Sequence, residues 1–316
     1  MTGDGAPVEA WTSAAQCLAV LLVAPGIQGL IARLKAMLQG RHGPGVLQPY
    51  FTLAKLWRRQ DVRPEAASWI FTAAPGLALA IVAAACLTLP LFVGRAPLSA
   101  GAGLIVTLGL LALLRFVVSL SGLDTATPFG GLGSSRESAV GALIEPALFA
   151  LALPWMAVAG STAWPALLAA TAAAPATSIV RFFGLGAAMI VLLAETGRLP
   201  IDNPDTHLEL TMIHEAMVLE YAGPQLALMT LAHMVKQLLM LGLVADLLLP
   251  WGTAGRGVPP VLGATAAVAT WCALATGLAV AETLSNKLRF FRLPAYLGAA
   301  AALSSAAAVL AVWGVR

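Results

Sequence analysis

Acidic residues are concentrated in one segment, residues 195–224, which lies between two long apolar stretches. Six of the fifteen carboxylates fall in this segment, among them Glu195, Asp202 and Glu220. Neighbouring, partly buried carboxylates spread their pKa values over a wide range, so such a group can take up and release protons. The segment therefore predicts proton-transfer chemistry. The alternative is a solvated loop in which Asp202 or Asp205 caps a helix.

A helix running from Asp205 to Glu220 would sort these groups by face. With 3.6 residues per turn, Asp205, Glu209 and Glu220 would fall within roughly 60° of one another. His207 and His214, seven residues apart, would share a different face. An unperturbed imidazole titrates near neutral pH, and helix capping or an interface position explains either histidine equally well.

The elements that hold these groups are predicted to cross a membrane. The chain of 316 residues is 59% hydrophobic and 10% charged, with a mean hydropathy of +0.86, which excludes an ordinary soluble domain. Apolar runs of about twenty residues recur, each long enough to cross the hydrocarbon core. The sequence predicts an all-α polytopic membrane protein, one integral membrane domain over residues 1–316 with about eight transmembrane helices. The predicted spans are about 11–31, 69–93, 98–120, 139–159, 178–194, 225–249, 258–281 and 294–312.

The connections predict an orientation. Between the first two spans, the stretch from Val46 to Trp57 carries one apolar stripe that includes Tyr50 and Phe51, which predicts an amphipathic helix at the membrane surface. Eight spans put both termini on one side. Twelve lysines and arginines lie in the loops after the odd-numbered spans and three lie on the other side. The positive-inside rule then predicts a plasma-membrane protein with the acidic loop in the cytoplasm and both termini outside.

Several ionisable residues fall inside the predicted spans or at their ends, among them Arg115, Glu145, Glu195, Lys236, Asp246 and Glu282. A charge inside the membrane costs about 2.5–3.5 kcal/mol on insertion scales, so each needs a partner or water. Lys236 and Asp246 are ten residues apart, about 15 Å along one helix, and therefore cannot pair with each other. This favours a polar path that leads inward from the acidic loop over isolated ion pairs that only lock helices together.

No metal site is predicted on this chain. Cys17, Cys86 and Cys272 are far apart in apolar runs, and no Cys-x-x-Cys pair is present to hold an iron–sulfur cluster, zinc or a nickel–iron centre. His233 is followed by no histidine or carboxylate at the third or fourth position that would complete a metal-binding face. No phosphate-binding glycine loop and no basic nucleic-acid patch occurs, so neither a catalytic centre nor a nucleic-acid partner is expected.

Several motifs resemble membrane subunit 1 of respiratory complex I. Residues 37–49, Met-Leu-Gln-Gly-Arg-His-Gly-Pro-Gly-Val-Leu-Gln-Pro, are similar to its first cytoplasmic loop, and Arg136 precedes Glu145 with the spacing of its next cytoplasmic connection. Residues 194–202, Ala-Glu-Thr-Gly-Arg-Leu-Pro-Ile-Asp, resemble its Ala-Glu-Thr-Asn-Arg-x-Pro-Phe-Asp motif. The pair Glu220-Tyr221 is similar to its Glu-Tyr-Ser.

The more similar branch is that of the membrane-bound hydrogenases. Residues 198–217 and 286–294 resemble formate hydrogenlyase subunit 4 and hydrogenase-4 component C. Relative to complex I, the segment from Asp202 to Glu220 is a few residues longer, and His207 stands where that family has an acidic residue. The resemblance therefore implies the charged path and not a quinone site.

This resemblance implies a membrane anchor and ion-coupling subunit of a membrane-bound nickel–iron hydrogenase complex. In that branch the subunit carries no redox centre. Iron–sulfur clusters and the nickel–iron centre are expected on partner subunits, the iron–sulfur small subunit and the nickel–iron large subunit, beside antiporter-like membrane subunits and the lipid bilayer. Electron transfer in the docked arm would then be linked to proton or sodium movement.

The residues expected to do this fall into three groups. The proton path would consist of Glu145, Glu195, Asp202, Asp205, Glu209, Glu215, Glu220, Lys236, Asp246 and Glu282. The residues that stabilise anionic groups would be Arg115, Arg136 and Arg198, and the docking surface would include Arg41, Tyr50, Lys55, Arg289 and Arg292. Three alternatives stay open: a quinone-site subunit of a complex I-type dehydrogenase, a stand-alone secondary ion transporter, and a purely structural anchor.

Overall fold

The computed structural model describes residues 5–92, 102–173, 179–202, 212–249, 259–286, 288 and 292–314. These residues form eleven α-helices and no strand, so the all-α prediction is confirmed. The helices are α1 Gly5–Leu38, α2 Gln48–Trp57, α3 Trp69–Thr88, α4 Leu104–Asp124, α5 Pro128–Ala159, α6 Trp164–Ala173, α7 Ile179–Glu195, α8 His214–Val218, α9 Gly223–Leu248, α10 Pro260–Leu284 and α11 Leu293–Gly314.

Seven of the described helices are long and apolar enough to cross a membrane, namely α1, α3, α4, α5, α9, α10 and α11. The predicted fifth span is present as α7, whose 17 residues extend about 26 Å. Each of the eight predicted spans is therefore matched by a helix. The prediction of a polytopic membrane protein is confirmed.

Two stretches expected as connections are helical. Helix α1 continues to Leu38, so Arg33 and Lys35 lie in its last turns and not in a loop. The stretch after the fourth predicted span contains α6, an apolar helix of ten residues. Its many alanines and leucines favour a helix, and its single proline, Pro165, stands in the first turn, where proline is tolerated.

Helix α5 also starts earlier than predicted. It begins at Pro128, and the Thr127 hydroxyl caps it by accepting the Gly130 N–H at 3.2 Å. The glycine-rich stretch that follows is helical, and not the polar connection that its composition predicts. Its glycines allow close packing, because a Cβ on Gly133 would lie 3.0 Å from the Ala216 Cβ on α8.

The helix predicted for the first loop is present as α2. Its exposed side chains include Phe51 and Trp57, and the adjoining Leu47 is exposed as well. The Tyr50 hydroxyl donates a hydrogen bond to the Leu22 carbonyl and so ties α2 to α1. A row of exposed apolar side chains on a short helix suits the boundary between headgroups and acyl chains. That position at the membrane surface remains a prediction.

Helix α9 is the central element of the bundle. It packs against α1, α2, α3, α6, α7 and α10, and every residue from Met234 to Leu248 is buried. Around it, α4 packs between α3 and α5, and α11 packs on α5 and α7. Polar side chains on α9 therefore point into the protein whichever face they occupy.

The turn after α7 positions the first charges of the acidic segment. Gly197 has φ 58°, a left-handed conformation that glycine adopts without steric cost. Its N–H donates to the Ala194 carbonyl, and the Arg198 N–H donates to the Leu193 carbonyl at 3.0 Å. This glycine C-cap ends the helix directly after Glu195 and sends the chain back toward the bundle.

The predicted helix from Asp205 to Glu220 is wrong. Met212 and Ile213 are not helical, and the short helix α8 ends before Glu220. A single helical face therefore does not align these carboxylates, because Met212 and Ile213 interrupt the helix that would carry them.

The reason for the interruption is a cap supplied by Asp202. Its buried carboxylate accepts hydrogen bonds from the Ile213 and His214 N–H groups, each at 3.1 Å, so a new helix starts at this point. Asp202 is buried, so the alternative of a solvated loop does not describe it, although its carboxylate does accept hydrogen bonds at the start of a helix. Three predicted residues lie outside the described part of the chain: Asp205, His207 and Glu209.

Candidate functional site: a buried chain of charges

Arg115, in the interior of α4, contacts three carboxylates. Its Nε lies 3.2 Å from Glu137 and its Nη1 lies 2.8 Å from Glu145, both on α5. Its Nη2 donates to Glu195, the last residue of α7. A guanidinium group carries five N–H donors in one plane, so a single arginine can serve three acceptors. Arg115 thus joins three helices through ionic contacts.

Glu195 extends this network to the central helix. Its side chain is 1% exposed, and Oε1 lies 2.9 Å from the Lys236 Nζ on α9. The carboxylate therefore stands between two cations, Arg115 and Lys236. Loss of one partner from a buried ion pair typically costs about 3–5 kcal/mol, that is on the order of a third or more of the stability of many domains. We refer to Arg115, Glu137, Glu145, Glu195 and Lys236 as the Arg115 cluster.

The Arg115 cluster reaches from the interior to the outer surface of α5. The Glu145 side chain is 49% exposed, whereas that of Arg115 is 7% exposed. Gly141, one turn before Glu145, provides the space for the guanidinium. A Cβ at this position would lie 2.8 Å from the Arg115 Cδ and 3.0 Å from its Nη1.

A second group of charges surrounds Glu282 on α10. Its two carboxylate oxygens lie 2.8 Å from the Lys35 Nζ on α1 and 2.9 Å from the Arg198 Nη1. Arg198 Nη2 also donates to the side-chain oxygens of Gln28 at 2.8 Å and Gln237 at 3.1 Å. We refer to Lys35, Arg198 and Glu282 as the Glu282 cluster.

The two clusters adjoin each other. Consecutive residues of α9, Lys236 and Gln237, contact one cluster each, and the end of α7 contributes Glu195 to one and the following turn contributes Arg198 to the other. With every group ionised, the Arg115 cluster has three carboxylates for two cations, and the Glu282 cluster has two cations for one carboxylate. Their charges balance only together. We call the two clusters jointly the charged axis.

The other predicted path residues that the structure describes occupy different positions. Glu215 lies on the exposed side of α8, and Glu220 is half-buried in the turn that follows. Asp246 is buried, but it lies ten residues beyond Lys236, about 15 Å along α9. Asp202 is buried as the cap of α8. Of the eight predicted path residues that the structure describes, four belong to the charged axis: Glu145, Glu195, Lys236 and Glu282.

The remaining predicted residues lie near the surface. Arg136 donates to the Met212 carbonyl at 3.4 Å, which links α5 to the segment before α8. Arg41, Lys55 and Arg292 are exposed, Tyr50 is half-buried, and Arg289 lies outside the described residues. No described contact tests the docking surface.

Sequence reasoning did not identify several residues that lie in the charged axis or contact it. Glu137 directly follows Arg136, but its glycine-rich stretch predicts a connection, so its side chain is not expected within a helix bundle. Lys35 escapes for the same reason, since the sequence predicts a loop there. Gln28 and Gln237 are neutral, and only their proximity to Arg198 reveals their role. One residue in the sequence does indicate the earlier start of α5. Thr127, a residue type that often caps helices, stands directly before the glycine-rich stretch.

In the part of the chain that the structure describes, no group of three or more histidine, cysteine, aspartate or glutamate side chains is arranged to hold a metal ion. Cys17, Cys86 and Cys272 are free thiols. The charged axis consists of carboxylates, amines and guanidinium groups.

Fold and site together define a multi-pass membrane protein with a chain of charges across its interior. Residues 12–313 match the protein family described as NADH dehydrogenase. The chain belongs to this family, and the resemblance predicted from the motifs is confirmed.

This chain is similar to components of hydrogenase-4 and formate hydrogenlyase and, at lower identity, to subunits of NADH-quinone oxidoreductases. Hydrogenase-4 component C of Escherichia coli (strain K12) is 35% identical over 243 residues, which cover 76% of this chain and 75% of the relative. Formate hydrogenlyase subunit 4 of the same strain is 36% identical over 240 residues, covering 75% and 76%. In the second group, a subunit of the NADH-quinone oxidoreductase of Salinibacter ruber is 25% identical over 243 residues, covering 72% and 70%.

A solved structure shares the fold. A chain of the membrane-bound sulfane sulfur reductase, an archaeal respiratory membrane complex, superposes with a TM-score of 0.84 and covers 96% of this chain and 99% of its own length. The two sequences are 15% identical, so the likeness concerns the arrangement of helices.

Proposed function

We propose that this chain is the membrane anchor and ion-coupling subunit of a membrane-bound nickel–iron hydrogenase complex of the formate-hydrogenlyase type. The support is its similarity to hydrogenase-4 component C and formate hydrogenlyase subunit 4 over about three quarters of each chain. Its partners are an iron–sulfur small subunit, a nickel–iron large subunit and antiporter-like membrane subunits. The redox centres reside on those partners, and this chain links their electron transfer to proton or sodium movement.

The observation that carries the coupling role is the sequence of contacts that leads from the exposed Glu145 inward through Arg115 and Glu195 to Lys236. In an interior of low dielectric constant, a change of charge at one group strongly alters the proton affinity of the next. An electron that arrives on a docked cluster would make nearby carboxylates bind protons more tightly. The ion pairs would then exchange partners and pass a positive charge along the axis.

The acidic segment would convey the redox change to the axis. Glu215 and Glu220, together with Asp205 and Glu209, would face the docked arm from the cytoplasmic side, and Asp202 would hold α8 in place. Arg136 and Arg198 would stabilise the anionic groups. Exposed basic residues of the first and last loops, including Arg41, Lys55 and Arg292, would contact the partner subunits.

The test uses the assembled complex and substitutes one carboxylate at a time. E195Q and E145Q should each lower ion movement per electron by about tenfold or more, a change equivalent to roughly 1.4 kcal/mol or above. E65Q is the matched control, because Glu65 is an exposed carboxylate outside the axis. Hydrogen turnover and ion movement are measured on the same vesicles. Normal ion movement in both E195Q and E145Q would reject the path.

The same experiment separates this function from the alternatives. The relatives are named as components or subunits of larger enzymes, which favours an anchored subunit over a stand-alone transporter. A transporter would move ions when purified without partners. A quinone-site subunit would give turnover that stops with quinone-analogue inhibitors, and a purely structural anchor would lose assembly and keep coupling in every complex that does assemble.

A further inference from the structure

Two histidines lie in contact beside the Arg115 cluster. His214 begins α8 and His233 lies on α9, with their ring centroids 4.2 Å apart and their planes inclined by 31°. Neither residue has a role in the function proposed above. Both residues are half-buried, and the contact brings a second imidazole to His233 from outside its own helix.

A small cavity connects this pair to the charged axis. Its volume is about 30 Å³, and the two histidines line it together with Arg115, Glu137 and Lys236. Such a volume accommodates one or two water molecules, and the lining offers both donors and acceptors to hold them. The cavity thus joins the imidazoles to the ammonium and guanidinium groups through a space that suits proton exchange.

Charges face the histidine pair from every element around it. They are Arg115 on α4, Glu137 on α5, Arg198 and Asp202 after α7, and Lys236 on α9, with Glu195 between Arg115 and Lys236. Burial, and next the Lys236 ammonium, lower the pKa of His214 to about 4, while Asp202 acts in the opposite direction. His214 is therefore neutral at neutral pH.

The ring contact limits how many protons the pair can hold. An imidazolium ion repels a second imidazolium at 4.2 Å, so protonation of one ring opposes protonation of the other. The nearby cations also oppose the binding of a metal dication between the rings. The ring contact therefore favours one proton on the pair over two.

We propose that the His214–His233 pair is a protonation site of the ion path, which holds at most one proton and exchanges it with Lys236 across the cavity. This inference rests on the proposed function of the charged axis. In the exchange, one N–H bond of the Lys236 ammonium breaks and one N–H bond of an imidazole forms, directly or through a water in the cavity. The products are a neutral amine and an imidazolium ion, so the total charge is unchanged.

The histidine pair can be tested by its titration, independently of any transport. In the purified complex with isotope-labelled histidine in this chain, imidazole protonation is followed by infrared difference spectroscopy, and H214N and H233N assign the signals. The pair should take up one proton where two independent histidines would take up two. K236M should raise the midpoint by about one pH unit or more, because it removes the nearest cation. H42N is the control and should leave these signals in place, since His42 lies exposed in the first loop.

Two results would overturn the proposal: uptake of two protons at the ordinary histidine pKa, or a midpoint that K236M does not move. The titration of the unsubstituted complex decides the matter if a variant fails to assemble.

Ion movement then separates this site from the path as a whole. H214N and H233N should each lose most of the ion movement per electron, as E195Q should. Coupling that fails in E195Q and persists in both histidine variants would reject the histidine site and leave the path standing. Coupling that persists in all three would reject the path, and with it the role of the pair.

Discussion

Arg115 takes part in three ion pairs of the charged axis. It lies between Glu137, Glu145 and Glu195, and its removal would leave three carboxylates with Lys236 as the remaining cation of that cluster. A guanidinium that serves three acceptors from two helices orients all of them at once. The positions of these three carboxylates in the charged axis therefore depend on the planar guanidinium group of Arg115.

R115Q should lower the free energy of unfolding by about 3–5 kcal/mol, because it leaves buried carboxylates without their partner. R115K should fall between R115Q and the unsubstituted protein, since an ammonium keeps the charge but cannot reach three acceptors in one plane. Thermal unfolding in detergent micelles measures both. R41Q is the control because Arg41 is exposed in the first loop. Equal midpoints for R115Q and R41Q would contradict the central place of Arg115.

At the scale of elements, α5 determines whether the cluster can form. Its glycines allow α4 and α8 to approach, and Gly141 in particular leaves room for the Arg115 side chain. An α-helix with a larger residue at that position would displace the guanidinium from Glu145 and Glu195. The packing of α4 on α5 and the ionic contacts are thus one structural feature.

G141A should destabilise the protein and disturb ion coupling, because its Cβ would lie 2.8 Å from the Arg115 Cδ. G131A is the matched control on the same helix, where a Cβ would meet no atom within 4 Å. Alanine is favoured over glycine in a helix by about 0.5–1 kcal/mol, so G131A should be neutral or slightly stabilising. Thermal unfolding of the two variants makes the comparison, and a stabilised G141A would show that the guanidinium shifts without cost.

At the scale of the whole molecule, contacts between connections show which of them share an end of the bundle. A Cβ on Gly223, after the acidic segment, would lie 2.5 Å from the Gln60 carbonyl oxygen in the first loop. The Leu104 N–H, at the start of α4, donates to the Thr162 carbonyl at 2.9 Å after α5. Gly223 and Gln60 thus lie at one end of the bundle, and Leu104 and Thr162 lie at the other.

Cysteine labelling tests which end is cytoplasmic. In a parent that lacks Cys17, Cys86 and Cys272, H42C should react with an impermeant maleimide only after the cells are opened, and T162C should react in intact cells. Both positions are exposed, so a difference reports the side of the membrane and not burial. The reverse pattern would place the acidic segment outside and would remove the basis for docking a cytoplasmic arm there.

By itself, the sequence determined the membrane class, the approximate position of each span, the presence of a helix in the first loop and the family. These are local properties, since a run of apolar residues or a short motif acts where it stands in the chain. It also singled out Arg115, Glu145, Glu195, Lys236 and Glu282 as charges that needed partners.

Only the tertiary structure decided which partners they have. Arg115 and Glu195 are 80 residues apart, and Lys35 and Glu282 are 247 apart, so no local pattern joins them. The start of α8 within the acidic segment also depends on a contact between residues distant in sequence. The carboxylate of Asp202 accepts hydrogen bonds from the Ile213 and His214 N–H groups at that point. Local periodicity fixes where a helix lies, whereas the pairing of charges depends on which helices pack together.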